Sequence, residues 1–260
     1  MKKSILLATT AFFGCALISC IDLNTLGHTN PYDLNGVNGG FKTNTVPGLS
    51  MWFKPDAGIT LSGSDVTSWA DQSGNGYHLT GTSPTKPTFE NNIINGIGAV
   101  RFGQAEVRRL YRDTTPTLQI PSTTFVVMKA TGTATENFQC VYNAKSDNYF
   151  KMLRLNAAPS TAFGIYDNLS LAGGNLANVP QLWIGVHNGA SSKVYLNDGT
   201  PATGDAGNST GNTGFVVGSD HNGNYGFYGY IAEVLVYTGA LSASNISVVK
   251  DYLNRKYAIY

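Results

Sequence analysis

Residues 125–128 read Phe125-Val126-Val127-Met128. Side chains along a strand alternate between faces, so a strand that is apolar at every position is central and covered on both sides. The stretch Ile231-Ala232-Glu233-Val234-Leu235-Val236-Tyr237 has the same texture and carries one carboxylate. These two runs mark the core.

Working outward, short apolar runs recur at Leu49–Phe53, Val66–Trp69, Ala99–Phe102, Phe138–Tyr142, Tyr149–Leu155, Ala162–Tyr166, Leu182–His187, Lys193–Leu196, Gly214–Val217 and Phe227–Tyr237. Turn signals separate them, among them Ser73-Gly74-Asn75-Gly76, Asn95-Gly96, Gly173-Gly174, Asn197-Asp198-Gly199 and Asn222-Gly223-Asn224. Thirty glycines and a charged fraction of only 13% suit many turns between short strands. The spacing predicts an all-β sandwich. One helix is readable, at the end. Ser242 is a good N-cap, Ile246, Val249 and Leu253 form one apolar stripe, and Arg255 and Lys256 fall in the last turn, where positive charge suits the helix dipole. This helix is expected to pack against the sandwich edge.

The N-terminus has a different character. Lys2-Lys3, an apolar run from Ile5 to Ile18, and Ser19 before Cys20 have the marks of a secretory signal. The run is too short for an ordinary membrane span. Residues 20–46 are rich in Asn, Gly and Thr and read as a flexible tether; the domain is expected to span 47–260. Removing Lys2 and Lys3 takes 17 basic residues to 15 against 16 acidic ones, a mature charge of about −1. That balance gives no nucleic-acid footprint. Once Cys15 leaves with the signal and Cys20 is modified, Cys140 alone remains, so no intramolecular disulfide forms. In its strand-like run Cys140 reads as a small buried hydrophobe.

Two resemblances follow. Leu17-Ile18-Ser19-Cys20 resembles the lipobox of bacterial lipoproteins, which implies that Cys20 carries lipid, and Ile21 after it points to the outer membrane. Ser68-Trp69-Ala70-Asp71-Gln72-Ser73-Gly74-Asn75-Gly76 resembles the opening signature of concanavalin A-like, laminin-G-like jelly-roll domains. Ala99-Val100-Arg101-Phe102 is similar to the next strand of that family. Tyr230–Tyr237, Ala240-Leu241-Ser242, Tyr252-Leu253 and Lys256-Tyr257 are similar to its end. The chain departs from the pattern at Gly103-Gln104 and at Asn245. The resemblance implies a two-sheet antiparallel jelly roll with one C-terminal helix. That family holds lectins, adhesive modules, glucanases and lyases, so fold does not fix function.

Glucanases of this fold place carboxylates at i, i+2 and i+4 on one strand, yet the two acidic residues nearest in sequence, Asp65 and Asp71, are six apart. Gly207-Asn208-Ser209-Thr210-Gly211 matches Gly-x-Ser-x-Gly but lies in a loop of an all-β chain, without the strand and helix a nucleophile elbow needs. His28, His78, His187 and His221 show no metal-ligand spacing. No catalytic set emerges. Glu233 sits among apolar neighbours, with Ile231 and Leu235 expected on its face, and a buried charge must be paired or bound to a cation. The jelly-roll resemblance implies calcium held by Asp71, Asn75 and Glu233; the other reading is an exposed rim position or an Arg partner. Arg101, Arg108, Arg109 and Arg112 are four of six arginines in the chain, with Tyr111 among them. They read either as a patch for acidic sugars or an acidic partner, centred on Arg108, Arg109 and Tyr111, or as a solvated strand end. The leading expectation is an outer-membrane lipoprotein displaying a non-catalytic module for a glycan or glycoprotein. A polysaccharide-degrading enzyme and a structural envelope protein stand behind it.

Overall fold

The computed structural model describes residues 41–103, 107–131, 138–146, 150–157, 160–165, 169–172, 177–208 and 211–260. Residues 1–40, with the expected signal peptide and Cys20, lie outside that set, as do Tyr149 and Ser209. The strands are β1 (Leu49–Phe53), β2 (Ile59–Ser62), β3 (Asp65–Trp69), β4 (Leu79–Thr80), β5 (Thr88–Ile94), β6 (Ile97–Phe102), β7 (Leu110–Leu118), β8 (Ser122–Ala130) and β9 (Phe138–Asn143). They continue with β10 (Lys151–Ala157), β11 (Ser160–Ile165), β12 (Leu169–Ala172), β13 (Gln181–His187), β14 (Ser192–Leu196), β15 (Ala202–Gly204), β16 (Asn212–Val217) and β17 (Gly229–Thr238), and the chain closes with helix α1 (Ala243–Tyr257).

The strands form two antiparallel layers. In the first, β17 pairs with β8, β8 with β13, β13 with β14 and β14 with β15, while β1 and β6 share the far edge of β17. In the second, β7 pairs with β16, β16 with β9, β9 with β10, β10 with β11 and β11 with β12; β2, β3 and β4 extend it beyond β7. The inner faces bury Val126, Met128, Trp183, Val194, Val234 and Val236 from the first layer against Leu110, Tyr142, Met152, Phe163, Phe215 and Val217 from the second. Phe53 stacks on Phe215 at 6.3 Å, and Phe163 meets Trp183 at 4.1 Å. The fold is a jelly-roll sandwich: the strand spacing implied the sandwich, and the resemblance the jelly roll.

The run 125–128 behaves as expected: Val126 and Met128 enter the core between the layers, while Phe125 and Val127 enter a second core on the other side. Helix α1 supplies that second core. Its Ile246, Val249, Tyr252, Leu253 and Tyr257 are buried together with Leu182, Leu235 and Tyr237 of the first layer. Each such side chain contributes about 1.5–3 kcal/mol by leaving water. The Ser242 hydroxyl caps the helix by accepting from Asn245 N at 3.3 Å. The helix therefore covers a sheet face and not the sandwich edge.

Two further expectations need correction. Register slips between Ile231 and Glu233 opposite β8, which makes Ala232 the extra residue of a β-bulge. Ile231 and Val234 consequently face the inner core, while Ala232, Glu233 and Leu235 face the helix. Simple alternation had put Ile231 on Glu233's face. A bulge adds one residue and resets the alternation. The packed domain also starts before residue 47. Phe41 is 7% exposed and stacks on Tyr252 at 4.3 Å, and Val46 is buried. This end of the expected tether belongs to the second core.

Candidate functional site

Glu233 is fully buried beneath α1. Its Oε1 accepts from Trp52 Nε1 and from the Tyr252 hydroxyl, both at 2.6 Å. Its Oε2 accepts from the Tyr257 hydroxyl at 2.7 Å and from Lys256 Nζ at 2.8 Å. Lys256 also reaches Asp56 Oδ1 at 3.1 Å. Burial pushes the Asp56 carboxyl up, but Lys256 and Lys54 outweigh that and hold it below the ordinary carboxylate range. Burial, then the Glu233 charge, raises the Tyr252 and Tyr257 hydroxyls far above the usual phenol range, so they remain donors.

Asp71 is equally committed. Its Oδ1 accepts from Trp52 N at 2.9 Å and Ser73 N at 2.8 Å, and its Oδ2 from Ser73 Oγ at 2.7 Å and Tyr77 N at 3.0 Å. Asn75 Nδ2 donates to Ser50 O at 2.9 Å, and the Asp71 amide is held by His78 Nδ1 at 3.0 Å. The signature loop is thus stapled to β1. Calcium needs six to eight oxygen ligands, whereas Asp71 and Glu233 spend theirs on N–H and O–H donors and Asn75 turns its amide nitrogen to the backbone. Among the described residues no three His, Cys, Asp or Glu side chains gather as a metal group. The residues named for calcium do not fit the ion; the geometry assigns them to holding the loop and the helix in place.

The arginines separate. Arg101 pairs with Glu90 at 3.0 Å, and Arg112 lies over the Tyr77 ring at 5.7 Å. Arg108 Nη1 donates to Lys86 O at 3.3 Å and lines a cleft of about 360 Å³ with Asp65, Pro84 and Lys86. Arg109 goes elsewhere: its guanidinium lies over the Tyr111 ring at 5.2 Å. Neighbours on a chain that is entering a strand point to opposite sides, so Arg108 and Arg109 do not make one patch.

Arg109 and Tyr111 occupy the outer face of the second layer. Tyr111 pairs with Val216, Val216 with Asn143, and Asn143 with Lys151, so these four lie in one row across β7, β16, β9 and β10. At the usual strand spacing the row spans about 14 Å. Lys145 Nζ stands 5.8 Å from the Tyr111 ring and 3.8 Å from Asp113, which shares Tyr111's face of β7. The segment 219–225 follows the end of β16, and beyond it Gly226 meets Cys140 of β9 in an isolated parallel bridge. Asp220 Oδ1 closes this loop by accepting from Asn222 N at 3.0 Å and Asn224 N at 2.6 Å. Gly223 sits at φ +84°, a region that favours glycine, and a Cβ there would come within 2.2 Å of Arg109 Nη1, so the loop backbone lies against the guanidinium. Tyr225, at φ +52°, is held in a conformation unfavourable for a bulky residue. Its ring meets Phe138 edge-on at 6.2 Å, and both aromatics are 46% exposed. Cys140 beneath the loop is fully buried, and burial raises its thiol far above the usual range.

Sequence reading thus found Arg109 and Tyr111 but missed Lys145, Phe138 and Tyr225. An aromatic directly after the Asn222-Gly223-Asn224 turn was the available signal for Tyr225. Val216, Asn143 and Lys151 of the Tyr111 row are buried, whereas Phe138 and Tyr225 are open to solvent.

No protein-family model matches the sequence, and no curated protein matches it. Solved structures do. Domain 4 of a GH43 extracellular arabinanase from Geobacillus stearothermophilus, in complex with arabinotriose, is similar with a TM-score of 0.55 at 15% identity, over 78% of this chain and 98% of that one. An arabinofuranosidase complexed with arabinofuranosyl-α-1,2-xylobiose is similar with a TM-score of 0.56 at 14% identity, over 74% of this chain. The binding domain of botulinum neurotoxin serotype D is similar with a TM-score of 0.54 at 14% identity, over 78% of this chain. The matched region spans about half of each of the last two proteins, 51% in both cases. The architecture is shared with jelly-roll domains. At such identities the likeness concerns the fold, which glycosidase-associated and toxin-binding domains have in common.

Proposed function

We propose that this domain is a non-catalytic glycan-binding module, held at the outer membrane through lipid on Cys20, with its ligand, free or on a glycoprotein, on the outer face of the second layer. The observation that supports this most is the Phe138–Tyr225 pair: two half-exposed rings, one on a strained loop residue, on a face that α1 does not cover. Exposed aromatic rings offer an apolar body to the C–H face of a sugar, and a rigid sandwich fixes the loop that carries them. The fold neighbours that are complexed with arabino-oligosaccharides agree with such a ligand. Covalent lipid with more than one chain gives stable anchoring, at about 0.8 kcal/mol per buried CH₂.

The test is a glycan array on the full-length protein, with a turnover assay on every glycan bound. Binding without release of new chain ends is expected, and Tyr225→Ala should weaken it at least tenfold, about 1.4 kcal/mol. Cleavage would overturn the non-catalytic part, and undiminished binding by Tyr225→Ala would move the site off this face. Cys20→Ser should shift the protein from membrane to soluble fractions; unchanged fractionation would remove the anchor.

A further inference from the structure

We infer that the glycan taken by this face is acidic, with its carboxylate or sulfate seated between Arg109 and Lys145 beside the Tyr111 ring; this rests on the glycan-binding reading. Arg109 and Lys145 both lie against Tyr111, at 5.2 and 5.8 Å. Among the described residues no carboxylate pairs with Arg109, and its Nε and Nη1 are buried without an acceptor. Buried charge with unmet donors is costly, and an anion placed over the guanidinium supplies the missing countercharge. Lys145 is met by Asp113 at 3.8 Å, through a carboxylate that is 66% exposed. A long pair of that kind is worth little, so a ligand anion can replace it.

The shape suits the same conclusion. With Nε and Nη1 buried, an anion meets the guanidinium from its Nη2 side, through a charge-assisted bond to a carboxylate or sulfate. Gly223 lies directly against this guanidinium and fixes it under the loop. Two residues on, Tyr225 carries the aromatic pair, and two residues of chain span at most about 7 Å. Arg109, against Gly223, and the rings that Tyr225 carries are therefore neighbours, close enough to contact consecutive units of a single oligosaccharide. A neutral glycan would engage the rings alone. Arg108, turned into its own cleft, takes no part.

The experiment measures the affinity of the full-length protein for polygalacturonate, hyaluronan and chondroitin sulfate, with galactan and dextran as neutral probes, at low and physiological salt. Acidic glycans should bind at least tenfold more tightly and weaken as salt rises, because the Debye length is then about 8 Å. Arg109→Gln and Lys145→Gln should each remove most of that preference and leave neutral binding intact. Arg108→Gln should change nothing. If Arg109→Gln unfolds the protein, Lys145→Gln and Asp113→Asn decide: the first should lower and the second raise affinity for the acidic probes. Equal, salt-insensitive binding of neutral and acidic glycans, with no effect of Lys145→Gln or Asp113→Asn, overturns the inference and leaves the glycan reading standing. Binding of none of these glycans, nor of any on the array, overturns both.

Discussion

Lys256 Nζ lies 2.8 Å from Glu233 Oε2, joining the last turn of the helix to the central strand through a carboxylate with no exposed surface. Without partners that charge would be prohibitive in the core. With Trp52, Tyr252 and Tyr257 also donating to it, Glu233 becomes the polar pin that sets where α1 sits on the sheet.

Glu233→Ala should therefore destabilise the domain by about 3–5 kcal/mol, the usual cost of breaking a buried pair. Glu233→Gln should cost less, since it keeps an acceptor for part of the set. Chemical denaturation reads both. Melting in calcium and in chelator should coincide for the wild type. A calcium-dependent rise in Tm that vanishes in Glu233→Ala would return Glu233 to metal binding.

Among the described residues Phe41 is the first in the helix-side core. Phe41→Ala should cost about 3 kcal/mol, from lost burial and from the lost stack on Tyr252. A denaturation midpoint matching the wild type would show that the packed domain starts later, at the residue 47 boundary suggested by composition.

His187 makes acid stability predictable. It is fully buried between the layers, bonded to the Tyr142 hydroxyl at 3.1 Å and stacked on Phe150 at 4.6 Å. Burial pushes its imidazole down to about 3, whereas an unfolded histidine titrates near 6.5. Between these values the unfolded chain binds a proton that the native one does not, so stability rises with pH across the window and is lost on acidification. The slope from this residue approaches about 1.4 kcal/mol per pH unit. His187→Gln should flatten the stability profile between pH 4 and 6. Parallel profiles for wild type and variant would show that His187 does not govern the loss.

Much of the frame is visible in local pattern because burial on one or two faces writes itself into alternation. Phe125–Met128 and the α1 stripe fell where their periodicity put them, and β17 is the expected strand although its bulge at Ala232 broke the alternation. Strand β7 escaped, since Tyr111, Arg112 and Asp113 carry polar groups on both faces near the edge of the second layer and resemble a solvated loop. Strand β5, with Glu90, Asn91 and Asn92 in its middle, escaped for the same reason.

What the sequence alone determined is the all-β class, the central strands and the capped terminal helix. Each follows from residue type and short-range spacing, which act through one strand or one turn of helix. The tertiary structure decided the rest: that Lys256 of the helix meets Glu233, that Ala232 bulges and turns Glu233 toward the helix, and that Arg108 and Arg109 part company. It also decided that Tyr111, Lys145, Phe138 and Tyr225 share a face with Arg109. These depend on which strands become neighbours and on one inserted residue in a ladder. Such facts are set by packing between segments that can lie 181 residues apart, as Trp52 and Glu233 do, and no local pattern records them.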